Sequence, residues 1–181
     1  MKLFINLNKK QFSELLVSLS ACSEARQWAV NKTAKQVIKT CHRGDWMLWL
    51  YKKLQPNDLQ NLTLAKGYCA KTVIHLMKDE RSINAVNAAI AFGNGEISRT
   101  ELNAAADAAA DAAYADAAAD AAYADAAAAA YAAAAYAAAA YAAYAADAAA
   151  AAYAAYARTN NQKDTADICR QYLPFDKIEI N

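Results

Sequence analysis

The residue types that carry chemistry are few in this chain, and their spacing narrows them further. There are two histidines. His42 follows Cys41, which together supply the side-chain types of a Cys–His nucleophile pair. Successive residues on a helix diverge by about 100°, however, so such neighbours do not face one another. His75 sits among Val73, Ile74 and Leu76, the setting of a packed rather than a catalytic histidine. There is no glycine-rich phosphate loop, no HExxH and no GxSxG, which removes the common phosphoryl-transfer, zinc-protease and serine-hydrolase signatures. The aspartates Asp107 and Asp111, and likewise Asp116 and Asp120, stand four apart and share a helical face. Two carboxylates without carbonyl help fall well short of the roughly six oxygens that a hard cation needs. They are expected to form a solvated stripe or, with Asp125, an acidic binding face, and no metal or cofactor is expected.

One further constellation stands out, Arg43-Gly44-Asp45-Trp46-Met47-Leu48-Trp49. As structure it is a helix junction: Gly44 suits the left-handed residue that closes a helix, Asp45 caps the next one, and Trp46 and Trp49 anchor it in the core. As function it is the lip of a pocket carrying an Arg–Asp pair. The structural reading is the stronger. Arg43, Asp45, Trp46 and Trp49 are the candidate binding residues here, and Asp107, Asp111, Asp116 and Asp120 are those of the acidic face.

The elements that must position these residues are dominated by Ala104–Ala157. Forty of its 54 residues are alanine, with eight tyrosines and six aspartates and no Gly, Pro, Lys or Arg. Alanine has the highest helix propensity. Gly93-Asn94-Gly95 breaks the preceding segment, and Ser98-Arg99-Thr100-Glu101 reads as a capping box that starts a helix at Ser98. A single helix over the tract would run about 80 Å, against a radius of gyration of about 16 Å for a compact chain of this length. The nonapeptide beginning at Asp107 repeats at Asp116, and nine residues at about 100° each turn successive copies to opposite sides. The tract is therefore expected to fold into two or three helices, turning near 118–126 and 137–147. An ice-binding alanine helix is a remote alternative, because the regularly spaced threonines of such helices are missing.

Net charge is +1, with 19 Lys/Arg against 18 Asp/Glu. It is unevenly spread: residues 1–103 carry +7, the alanine tract −6, and the tail from Arg158 is balanced. The basic excess is mild and has no interleaved aromatics, so a nucleic-acid partner is not expected. Aspartates spread through the tract make a membrane span costly. The apolar run at Met1–Leu7 is too short for a signal peptide. Cys22, Cys41, Cys69 and Cys169 lack CxxC or zinc spacing and are expected to be four reduced, buried thiols of a cytoplasmic protein.

Helical periodicity extends over the rest of the chain. Asn8-Lys9-Lys10-Gln11 resembles a cap before Phe12, Leu15, Leu16 and Leu19. Ser23 is expected to cap a segment with Trp28, and Asn31-Lys32-Thr33 interrupts it before Val37, Ile38 and Cys41. Pro56 and Asp58 start a helix to about Lys78. Ser82 caps Ile83–Phe92, 158–161 is a polar loop, and Lys163–Tyr172 is the last helix, closed by Pro174. Leu3-Phe4-Ile5-Asn6-Leu7 and Lys177–Asn181 alternate and are expected to pair as a small antiparallel ribbon. The whole is an all-α bundle of seven to nine helices in one domain: mixed-composition helices over 1–97, alanine-rich helices over 98–157, and a C-terminal helix and tail over 158–181.

The order Cys22-Ser23-Glu24-Ala25-Arg26-Gln27-Trp28, Cys41-His42-Arg43-Gly44-Asp45-Trp46-Met47-Leu48-Trp49, Gly95-Glu96-Ile97-Ser98 before an alanine-rich helix, and Ala166-Asp167-Ile168-Cys169-Arg170 resembles a group of alanine-rich helical proteins of bacteria and phages. The likeness spans roughly Cys22 to Tyr172. Many of that group are described as immunity proteins, which neutralise a partner toxin. The resemblance implies a non-enzymatic protein that blocks a protein partner through its surface, and it supplies no catalytic residues. The alternative is a phage or mobile-element accessory protein that binds a host factor, or a small ligand in a bundle pocket near Arg43, Asp45 and Trp49.

Overall fold

In the computed structural model, which describes residues 2–76, 79–111 and 159–180, the chain is an all-α bundle whose two ends meet in a small ribbon. The elements are β1 (Lys2–Leu3), α1 (Lys9–Ser18), α2 (Ser23–Ala29), α3 (Ala34–Thr40), α4 (Gly44–Leu54), α5 (Leu59–Lys71), α6 (Glu80–Gly93), α7 (99–111), α8 (159–172) and β2 (Glu179–Ile180). Short 3-10 turns occupy Phe4–Asn6, Ile74–Leu76 and Phe175–Lys177. The expected turns at 118–126 and 137–147, and with them Asp116, Asp120 and Asp125, lie outside the described residues.

Reciprocal capping boxes start three of the helices, each satisfying two otherwise unpaired amides. Asn8 and Gln11 exchange bonds of 3.0 and 3.2 Å at α1. Thr33 and Gln36 do so at α3 with 3.2 and 2.9 Å, and Ser98 and Glu101 at α7 with 3.3 and 2.8 Å. Two expected caps are corrected. Cys22, without a side-chain bond, precedes α2, and Ser23 is already helical. Asp79, accepting from the Arg81 amide at 2.8 Å, caps α6, and Ser82 lies inside it. An acidic oxygen ahead of the first turn also suits the helix dipole. The helix expected to reach Lys78 stops at Lys71. Thr72, Val73 and Ile74 are three successive β-branched residues, and the Thr72 hydroxyl bonds back to the Cys69 carbonyl at 2.7 Å, a local competitor of the helical ladder.

The ribbon forms in the expected antiparallel sense, with Lys2 opposite Ile180 and Leu3 opposite Glu179. It is shorter than the alternation suggests, because the chain coils at Phe4 to bury that ring completely. Phe4 packs edge-on against Phe12 at 5.9 Å and tilted against Phe175 at 5.9 Å, and Tyr51 meets Phe175 edge-on at 5.3 Å. These rings, with Leu16, Met47, Leu50 and Leu173, form the core that joins both termini to α1 and α4. Aromatic pairs in this geometry contribute about 0.5–1.5 kcal/mol beyond the area they bury.

The C-terminal helix is the second organiser. It is helical from residue 159, the first described residue after the tract, so 159–161 of the expected polar loop at 158–161 are helix. Ala166, Cys169 and Leu173 are fully or almost fully buried. The Arg170 guanidinium donates to the carbonyls of Ile38, at 3.0 Å, and Cys41, closing α3 from outside, which is where helix-end carbonyls need donors. Tyr172 stacks flat on Tyr68 of α5 at 4.3 Å. Gly44 is corrected as well: it is the first residue of α4, not a left-handed closing residue. Its role is close approach, since a Cβ there would lie 2.5 Å from Thr165 Oγ1 and 2.7 Å from the Thr165 carbonyl carbon. Among the described residues Gly95, at φ +77°, takes the left-handed turn after α6. On the far side, α5 and α6 pack through Gly67 against Ile90 and Gly93 against Leu64.

Two predictions follow from this packing. Gly44→Ala forces α4 and α8 apart and is expected to destabilise by about 1–3 kcal/mol, read as a lower midpoint in urea. Thr165→Ala restores it only in part, because the backbone carbon is also in the way. The second concerns Asp58, which caps α5 through the Asn61 amide at 3.2 Å and accepts from the buried Tyr51 hydroxyl. Burial pushes its carboxyl up, but the bonds from Tyr51 and Asn61 outweigh this and hold it below the usual 3.8. Its contribution is therefore present above the ordinary carboxylate range and lost as pH falls through the depressed value. Asp58→Asn is expected to flatten the loss of stability that the wild type shows on titration from about pH 5 downward.

Candidate binding site

α1 ends in a left-handed turn that opens a space beneath it. The Ser20 amide bonds to Val17 and the Ala21 amide to Leu16, both at 2.9 Å, with Ser20 at φ +60°. This is the double closure of a Schellman turn, here with serine where glycine is usual. The chain is then carried away from α1 into α2, and Asn31 at φ +61° turns it again. Between α1, α2, α3 and α4 lies an apolar cavity of about 430 Å³. Phe12, Leu16, Ala25, Trp28, Trp46 and Trp49 are among the residues that line it.

All three tryptophans of the chain line this cavity. Trp28 and Trp46 stand 6.0 Å apart. Each is backed by a cation: Lys32 Nζ lies 4.3 Å from the Trp28 ring and the Arg43 guanidinium 4.6 Å from Trp46. Such contacts orient the rings and contribute about 0.5–1 kcal/mol at exposed sites. Lys32 also donates to the Trp28 carbonyl.

Asp45 lines the edge of this cavity and is held by Arg43, which lines the neighbouring one. Arg43 Nε and an Nη donate to the two Asp45 oxygens at 2.8 and 2.6 Å, and the guanidinium lies 3.5 Å from Glu24. The paired bond raises the Arg43 pKa and lowers that of Asp45, so both remain charged throughout the physiological range. Asp45 lies inside the first turn of α4 and is not its N-cap. On the other side of this pair is a shallower cavity of about 420 Å³, lined by Arg43, Asp45, Leu48, Cys69 and α8 residues including Thr165. The ion pair is thus a ridge between two depressions, and Asp45, Trp46 and Trp49 face the apolar one.

The thiols differ from expectation. Cys41 and Cys169 are buried and Cys69 is half-buried, but Cys22 is exposed at the cavity edge. Burial raises the Cys41 thiol, which donates to the Arg43 carbonyl at 3.5 Å. The His42 ring packs against Trp28 at 5.7 Å and Trp46 at 6.4 Å, so these two adjacent residues are engaged with separate partners. His75 is exposed in the 3-10 turn after α5 and not mid-helix. Asp107 and Asp111 are exposed on one side of α7, far along the chain from the tryptophans. Among the described residues no three His, Cys, Asp or Glu side chains are grouped to hold a metal ion, and no helix is long and apolar enough to cross a membrane.

Sequence reasoning placed Arg43, Asp45, Trp46 and Trp49 together, as four residues of one junction. It missed Trp28 as their partner and the small side chain of Ala25 that leaves the space open. The available signal was that Trp28 is the one other tryptophan and is followed at i+4 by Lys32. Comparison of the chain with protein-family models, with curated proteins and with solved structures finds no match.

Proposed function

We propose that this protein acts by binding and not by catalysis, and that its site is the tryptophan-lined cavity, which takes a small apolar or aromatic molecule. The observation that carries this reading is that every tryptophan of the chain lines one apolar space, with Asp45, ion-paired to Arg43, at its edge. Small-molecule sites are of this kind: about 300–1,000 Å³, apolar walls and few polar groups that set orientation. The ring edges supply dispersion contacts, and Asp45 supplies an acceptor for a donor on the ligand. A reducing, cytoplasmic setting suits the two buried, unpaired thiols.

A second reading is favoured by Asp107 and Asp111. Both are exposed on one face of α7 and neither is ion-paired with another described residue. They would meet a basic protein partner, as an immunity protein meets its toxin or an accessory protein its host factor.

The two readings separate experimentally. For the first, thermal shift against a panel of neutral aromatic molecules is expected to find a ligand that raises Tm by roughly 5–10 °C at a hundredfold excess over Kd, with a matching change in tryptophan fluorescence. Ala25→Phe, which fills the cavity, abolishes both responses. A flat panel with unaltered fluorescence removes the reading. For the second, a partner captured at low salt is expected to dissociate as salt rises. Asp107→Lys with Asp111→Lys weakens the complex about tenfold while helix content is preserved; unchanged affinity removes the acidic face.

A further inference from the structure

Two thiols outside the tryptophan cavity are placed against one another. Cys69, on α5, lines the open cavity on the far side of the Arg43–Asp45 ridge, so a small solute reaches it from solvent. Its thiol donates to the Thr165 carbonyl of α8 at 3.7 Å. Cys169 lies one turn beyond Thr165 on the same face of α8, is completely buried, and donates to the Gly44 carbonyl at 3.5 Å. The close approach of Gly44 to Thr165 holds this corner together, so the Thr165 carbonyl that takes the Cys69 thiol stands one helical turn before Cys169. One is reachable and the other buried behind it, the arrangement of an attacking and a resolving thiol.

We propose that Cys69 and Cys169 are a reversible oxidation site, converted by a hydroperoxide into a disulfide that fastens α8 to α5. The Cys69 thiolate attacks the terminal oxygen of the hydroperoxide. An S–O bond forms, the O–O bond breaks, and the second oxygen leaves as an alcohol, or as water from hydrogen peroxide itself, after taking up a proton. The Cys169 sulfur then attacks the Cys69 sulfur. The S–S bond forms, the S–O bond breaks, and the hydroxide departs as water with the proton of Cys169. A dithiol reverses the change by exchange. A Cys169 thiol turned from the Gly44 carbonyl toward the Cys69 sulfur favours the Cys69 thiolate and lowers its pKa, while the same contact and burial raise that of Cys169. The nucleophile is thus the accessible sulfur, as thiolate chemistry requires.

The position of the bond gives it a consequence. Residues 70–168, including the whole alanine-rich tract, lie between the two cysteines. The disulfide ties α5, which lies before the tract, to α8, which lies after it, and a long loop of this kind gains most from being closed. The pair is independent of the tryptophan cavity, so its test does not depend on finding a ligand there.

The full chain carrying Cys22→Ser, which removes the exposed thiol, is treated with hydrogen peroxide, alkylated and digested without reduction. Mass spectrometry is expected to find the Cys69 and Cys169 peptides joined, lighter by two hydrogens, with Cys41 still alkylated after unfolding. The oxidised protein melts several degrees higher, and dithiothreitol reverses both changes. Cys169→Ser loses the joined peptide and accumulates sulfinic acid at Cys69. The wild-type chain, alkylated, digested and mapped in the same way, gives the same answer should a variant fail to fold. Free thiols at both positions after treatment, a Cys41–Cys169 link in their place, or sulfinic acid at Cys69 in the presence of Cys169 overturns the proposal.

Discussion

The close approach of α8 to the start of α4, where Gly44 meets Thr165, is the contact on which the remainder of the described structure depends. No side chain fits between the two backbones at that point. With the helices at this distance, Cys169 reaches the Gly44 carbonyl, Arg170 reaches the two carbonyls that end α3, and Leu173 enters the aromatic core. Each of these satisfies a polar group or fills a volume that α1–α5 alone leave open. An unsatisfied buried carbonyl or an empty core volume each costs on the order of 1–3 kcal/mol, so α8 is required by the N-terminal helices and is not an appendage to them.

The same docking shapes both depressions. α4 is anchored at its first residue by α8 and further along by Tyr51, whose ring meets Phe175 and whose hydroxyl meets Asp58. That leaves the Trp46–Trp49 side of α4 facing α2 across a gap bridged by small residues, Ala21, Ala25 and Ala29. The gap persists because short side chains cannot fill it and because Arg43 and Lys32 hold the tryptophan rings from outside. On the opposite side of the ridge, residues of α4, α5 and α8 line the depression in which Cys69 meets solvent, with Cys169 buried. Recognition of an apolar group and oxidation of a thiol pair would thus use opposite sides of one helix, each without a residue the other needs. Beside the tryptophans Arg43 and Asp45 neutralise one another, and burial raises the pKa of the Cys41 thiol.

Much of the fold is legible in the residues themselves. The polar residue followed three places later by Gln or Glu marks the starts of α1 and α7, and the spacing of Phe12 and Leu16, or of Ala166, Cys169 and Leu173, marks buried faces. Even the pairing of the two chain ends shows as alternation. These signals are local: a cap or a stripe needs only neighbours within a turn or two, so the sequence by itself determined the helical class, the starts of α1, α5 and α7 and the tail ribbon. What it could not determine is which surfaces meet. Gly44 reads as a turn residue until Thr165, 121 positions on, is seen to exclude a Cβ. Cys69 and Cys169 read as separate buried thiols, and Trp28 as one more core residue, until the tertiary structure sets each beside its partner. Helix propensity and capping act through bonds along one segment, whereas a cavity or a thiol pair is made by distances between segments, and those are decided only when all the helices compete for the same core.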